Sequence, residues 1–208
     1  MFLLPPYRFF YISYIIRAHL DVAVRVYKTG SVFACRGPMM LSDRSIKQLI
    51  KEKALVIDPA PEVKSASVRL HLSDQFAQPF GRIERKPSYI LRPKKLVLSS
   101  TLERVKLPDD HAGLYDGSTT LARIGITTHM GSMLVSPGSD GNLTLEIFNA
   151  SDKPFVLKAG MRIGQLLILK LDAPAQYPQP TLSSYTGKRH IGIVMPQQKD
   201  IYRPRKKK

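Results

Sequence analysis

Residues 115–125 read YDGSTTLARIG. Thr119 and Thr120 are adjacent hydroxyls, Arg123 follows three residues later, and Gly117 and Gly125 flank the group. This is equipment for holding a phosphate. Hydroxyls are neutral donors, glycine admits close backbone approach, and a guanidinium fork donates two hydrogen bonds at once. Position 118, where a second cation would serve, is Ser118. The pattern matches neither the Walker A loop nor GxGxxG. Read alone, it is equally a turn that contains a structural arginine.

The second candidate is Glu146, in GNLTLEIFNAS. Period-two alternation places Leu143, Leu145 and Ile147 on one strand face and Thr144, Glu146 and Phe148 on the other. A carboxylate in the middle of such a strand is costly unless it faces solvent or a polar site. A solvated face is the ordinary explanation. A polar partner would instead make Glu146 suited to general acid/base work, which needs a carboxylate within hydrogen-bond reach of the reacting groups.

These residues require a scaffold. MMLSDRSIKQLIKEKALVIDP predicts a short helix with Ser42 as its cap, Asp43 in its first turn, and Ile46, Leu49 and Ile50 on one face. A strand then ends at Pro59 and Pro61. SVRLHLSDQF alternates Val68, Leu70 and Leu72 against Arg69 and His71. YILRPKKLVLSSTLERVKLP gives further strands broken at Pro93 and Pro108. FVLKAGMRIGQLLILKL predicts a hairpin around Ala159-Gly160 followed by an apolar strand. Many short strands with one early helix indicate a mainly β fold, a barrel or jelly roll.

The chain has 208 residues, enough for one ordinary domain, and a net charge of +16. Much of that charge lies at the ends. Five cations oppose only Asp21 in residues 1–39, and eight oppose only Asp200 in residues 185–208. We therefore expect a solvated basic tail and no specific nucleic-acid partner. The longest apolar run near the start, Phe9 to Ile16, falls far short of the ~20 residues needed to span a membrane. Residues 1–38 are expected to be an extension outside the fold, with Met39 or Met40 able to serve as the natural start. Residues 39–175 are expected to form the domain, and 176–208 a mobile arm with the basic tail. The single cysteine, Cys35, excludes an internal disulfide framework and fits a reducing compartment. No HxE…PCxxC zinc-deaminase signature occurs.

From Met40 to about Gly192 the chain resembles the dCTP deaminase branch of the dUTPase-like superfamily. MLSDRSIKQLI…LVIDP, LSSTLERVKLPDDHAGLYDGSTTLARIGI, GNLTLEIFN, LKAGMRIGQLLILKLDAPA and SSYTGK appear in that family's order. The resemblance implies a distorted β-barrel or jelly-roll subunit, a homotrimer with active sites at subunit interfaces, and a cytoplasmic enzyme. It implies hydrolysis of a cyclic amidine C–N bond: water attacks cytosine C4, a glutamate shuttles protons, and dCTP becomes dUTP and ammonia. Glu146 falls on the catalytic position and Arg123 on a supporting arginine. Thr119 and Thr120 replace a serine pair, and Gln165 falls on a glutamine that contacts nucleotide. Ser118, Leu121, Ala122, Ser136, Thr144, Leu145, Gln179 and Lys188 also fall on nucleotide-facing positions. No tightly bound cofactor or protein-held metal is implied. Mg²⁺ would ride on the triphosphate of dCTP or dUTP. His129 aligns with a family histidine, although an ordinary packed histidine explains it as well.

Several positions depart from the family pattern. Ser118 replaces an arginine. Ser136 replaces an aspartate that binds sugar in deaminases and activates water in dUTPases. Asp140 should occupy a different place in that turn. Gln179, Ser184 and Lys188 alter the arm, and the stretch between Phe76 and Tyr89 is short. A nucleotide-binding relative without turnover and a dUTP diphosphatase are the alternatives that these departures raise.

Overall fold

A computed structural model describes residues 39–176 and Ile193. The expected mainly β architecture is present: fourteen strands, one helix and one helical turn. The helix α1, Asp43–Lys51, begins where expected and buries Ile46. Ser42 has the extended backbone of a cap, and its carbonyl oxygen accepts from the Ile46 N–H. Its hydroxyl makes no cap bond, so the expected side-chain cap is absent.

The larger sheet runs β11 (Leu134–Val135), β9 (His111–Gly117), β14 (Arg162–Lys170), β4 (Ser67–His71) and β3 (Val63–Lys64), and β1 (Met39–Met40) also pairs with β14. The second sheet runs β10 (Ile126–Thr127), β12 (Asp140–Asn149), β8 (Leu96–Lys106) and β2 (Val56–Asp58). The inner faces of the two sheets share one core, in which Val68, Leu70, Leu145, Ile147, Leu166 and Ile168 are buried. Two small ribbons complete the fold, β5 (Gln75–Phe76) with β6 (Glu84–Arg85), and β7 (Ser88–Leu91) with β13 (Phe155–Lys158).

The hairpin expected around Ala159-Gly160 is not one. β13 pairs with β7, whereas β14 pairs with β4 and β9. Backbone groups at the turn bond outward: Ala159 N–H donates to Pro87, Gly160 N–H donates to Leu72, and Leu72 N–H donates to Met161. Gly160 has a φ of 79°, which a side chain would strain. The turn signal was sound, but a turn does not determine which strands pair across it. Here the chain crosses from one ribbon into the centre of the large sheet.

Two irregularities in register position the later residues. One lies between Arg162 and Gly164 in β14, the other between Asn142 and Thr144 in β12. In β14 both Ile163 and Leu166 are buried, a spacing that unbroken alternation would forbid. In β12 alternation resumes after the irregularity: Leu145, Ile147 and Asn149 are buried while Glu146 is half-buried. Ile193 packs on Ala77 and Leu98, and Leu98 stands opposite Glu146 in register.

Ile147 is fully buried beside Glu146. Ile147→Ala is expected to cost about 2–5 kcal/mol by transfer and cavity terms, read as a lowered midpoint in thermal or denaturant unfolding.

Candidate functional site

The site has two parts. The first is the Glu146 carboxylate. Glu146 Oε2 lies 2.8 Å from His129 Nδ1, and the Met130 N–H approaches the same oxygen at 3.4 Å. The angle at Nδ1 is too bent for a hydrogen bond, so this is a charge contact at short range. On its other side, His129 Nε2 donates to the Ser132 carbonyl oxygen. An imidazole with acceptors at both nitrogens is best satisfied as the cation. Accordingly, contact with the Glu146 carboxylate raises the His129 pKa against the opposing effect of burial. Burial pushes Glu146 upward, but His129 and the Met130 N–H more than offset it, and the net direction is down.

Tyr115 fixes the His129 ring. The two rings meet edge to face at 5.5 Å. The Tyr115 hydroxyl donates to Thr128 Oγ1 at 3.0 Å, with the Ile163 carbonyl oxygen 3.3 Å away. Burial drives this phenol well above its usual range, so it remains a neutral donor. Two glycines make this packing possible. Gly117 and Gly164 face each other across β9 and β14. A Cβ at 164 would lie 2.5 Å from the Asp116 carbonyl oxygen and 2.6 Å from the Tyr115 hydroxyl, and one at 117 would lie 2.7 Å from Thr128 Oγ1.

The second part is a cleft of about 440 Å³ where β9 passes into the helical turn α2, Thr119–Ala122. Ser118, Thr119, Thr120 and Leu121 line it together with Arg69, Arg162 and Gln165 from the neighbouring strands. The Ser118 N–H donates to the Ile163 carbonyl, stitching the turn to β14. The Gln165 amide is held at both ends: Oε1 accepts from Ser67 and Nε2 donates to Asp116, each at 2.9 Å.

Of the residues singled out in the sequence, the cleft gathers Ser118, Thr119, Thr120, Leu121 and Gln165. Ala122 and Arg123 are exposed at the far end of the turn, outside the lining. Leu121 and Leu145 turn their side chains into the core, which leaves only backbone to meet a ligand. Thr144 lies two residues before Glu146 on β12. Ser136 opens the turn before β12, and its carbonyl accepts from the Ser139 N–H. Asp140 is buried, with both carboxylate oxygens on Arg104 at 2.6 and 2.9 Å, so it does not replace an aspartate at 136. The hydroxyls of the LSST stretch are fully buried; Ser99, for example, donates to the Gln75 carbonyl. Gln179, Ser184 and Lys188 lie outside the described residues.

Sequence reasoning missed Arg69, Arg162, Tyr115 and Thr128, and left His129 undecided. Arg69 looked like any outward residue of an alternating strand. Arg162 and Gln165 are three apart, a spacing that assigns opposite faces until the bulge is known. Among the described residues no cluster of three or more His, Cys, Asp or Glu side chains could hold a metal ion, and no helix is long and apolar enough to cross a membrane.

The fold is mainly β, with one helix and one helical turn among the described residues. The family model described as dCTP deaminase-like matches residues 40–171, and the chain belongs to that family. It is 36% identical over 175 residues to the dCTP deaminase, dUMP-forming, of Mycolicibacterium vanbaalenii, covering 74% of this chain and 91% of that protein. It is 38% identical over 164 residues to the protein of the same name from Dictyoglomus thermophilum, covering 67% and 84%. A crystal structure of 2'-deoxycytidine 5'-triphosphate deaminase from Agrobacterium tumefaciens superposes with a TM-score of 0.54 at 19% identity, over 64% of this chain and 48% of that one.

Two outcomes test the geometry. His129 has its pKa raised on folding, so its share of the pair's stabilisation is full below the ordinary imidazole value of 6.5 and fades as pH rises through the raised value. Glu146 has its pKa lowered, so its share is full above 4.5 and fades as pH falls through the lowered value. The stability lost in Glu146→Gln should therefore be greatest between pH 4.5 and 6.5 and shrink on either side; melting curves of both proteins across pH check this. Gly164→Ala should destabilise by about 1–3 kcal/mol through overpacking and shift the His129 imidazole resonances in NMR spectra.

Proposed function

We propose that this chain is a dCTP deaminase and that Glu146 carries the proton transfers. The supporting observation is the half-buried, ionised carboxylate of Glu146, held in place by His129 and the Met130 N–H. In the reaction, water adds to C4 of the cytosine ring. Glu146 accepts a proton from that water as the new C–O bond forms and delivers it to N3. The C4–N4 bond then breaks, a second proton from the added oxygen passes to N4, and ammonia leaves a uracil ring. His129 keeps the carboxylate ionised and able to accept. The cost is a weaker base than an ordinary glutamate.

The triphosphate lies in the cleft beside Ser118, Thr119 and Thr120, and Mg²⁺ rides on it. The carboxylate and the cleft have separate linings within one chain. Ile124, Met130, Met133 and Leu134 are exposed apolar residues, and Met130 adjoins the Glu146 carboxylate. Surface of this kind suits burial by a second copy, and we propose a homotrimer with composite sites in which Arg123 faces the neighbour's ligand.

We propose dUTP as the product. dUMP is the second reading, favoured by the names of the two relatives described above. Ser136 offers no carboxylate for phosphate hydrolysis, and Asp140 is committed to Arg104.

Chromatography of reactions with dCTP and Mg²⁺ should reveal dUTP and ammonia. Glu146→Gln should reduce turnover by roughly 10²- to 10⁴-fold while sedimentation still gives three times the chain mass. Pyrophosphate release with dUMP would establish the second reading. Thermal stabilisation by dCTP without ammonia over hours would overturn the deaminase assignment.

A further inference from the structure

The cleft lacks a cation at Ser118, yet it is not short of positive charge. We propose that Arg69 on β4 and Arg162 on β14 supply the charge that grips a chain of phosphates there. This inference rests on the nucleotide reading above, and it assigns to two sheet arginines the work that Ser118 cannot do.

Both residues line the same cleft as Ser118, Thr119 and Thr120. The bulge between Arg162 and Gly164 is the reason they meet. It restores Arg162 to the face of Gln165, and Gln165 stands opposite Arg69 in register. Arg69 is steadied by one partner: Nη1 donates to Glu62 Oε1 at 2.9 Å, and Glu62 is shared with Lys64. A guanidinium has five N–H donors, so this single bond leaves Arg69 able to form a fork toward an anion. Arg162 is exposed and has no hydrogen-bond or ion-pair partner among the described residues. Between them Gln165 is locked by Ser67 and Asp116, which prevents its amide from swinging across the cleft.

The nearby carboxylates are occupied. Glu62 is taken by two cations, and Asp116 accepts from Gln165. Two separate guanidinium forks and three hydroxyl-bearing residues lining one cleft suit several linked phosphates better than one. The ligand class is therefore a nucleoside di- or triphosphate rather than a monophosphate.

The test is binding, not turnover. Calorimetry with dCTP, dCMP and inorganic tripolyphosphate is run on wild type, Arg162→Gln, Arg69→Gln and the double variant, with melting curves to confirm folding. Each single change should weaken dCTP and tripolyphosphate by roughly 10- to 100-fold, the usual effect of one charge-assisted contact. The affinity for dCMP should move by less than about threefold, because uniform loss would mean damage to the base or sugar site. Arg162→Gln breaks no ion pair among the described residues and so keeps the test alive if Arg69→Gln fails to fold. Unchanged tripolyphosphate affinity in folded Arg162→Gln would overturn the proposal, as would equal losses for dCMP and dCTP. Absence of ammonia from the wild type would sink the deaminase reading alone, since these titrations need no chemistry.

Discussion

The contact between Glu146 and His129 is the constraint around which the fold is organised. A half-buried carboxylate must be compensated, and the compensating cation comes from a different segment of chain. His129 can serve only if its ring is held, and most of what holds it lies on the large sheet. Tyr115 on β9 meets the ring edge, Thr128 takes the phenol's hydrogen bond, and the bare backbone of Gly117 and Gly164 leaves room for both hydroxyls. The charged pair is thus supported by residues that carry no charge and two that carry no side chain.

The same pair of strands bounds the cleft. Gly117 leads directly into Ser118 and α2, and Gly164 precedes Gln165. A movement of β9 against β14 would disturb both the seat of His129 and the lining of the cleft. The two parts of the site are separate in space but share a mechanical base, which suits chemistry at one end of a ligand that is anchored at the other.

Much of this was legible in the residues. Alternation in VRLHL and in LTLEIFN located two strands and put Glu146 off the core face, and apolar spacing in SIKQLI located the helix. The family resemblance supplied the pairing of Glu146 with the STT segment, which no periodicity could have done. What stayed hidden has physical causes. A bulge changes the parity of a strand without any residue that announces it, and so concealed Arg162. A turn motif is local whereas strand pairing is not, and so Ala159-Gly160 suggested a hairpin that the backbone bonds to Leu72 and Pro87 deny. The hydroxyls of Ser99, Ser100 and Thr101, a run whose burial no alternation announces, are spent inside the fold, Ser99 on the Gln75 carbonyl.

The placement of β14 bears on how the protein is made. This strand sits at the centre of the large sheet, beside β4 and β9 and touching β1, yet it is the last strand along the described chain. During synthesis the earlier strands of that sheet emerge before their shared neighbour exists, and their edges stay unpaired until the ribosome has passed Lys170. Closure is therefore a late, long-range event. A nascent chain stalled short of that point exposes the same apolar strands that the finished protein buries.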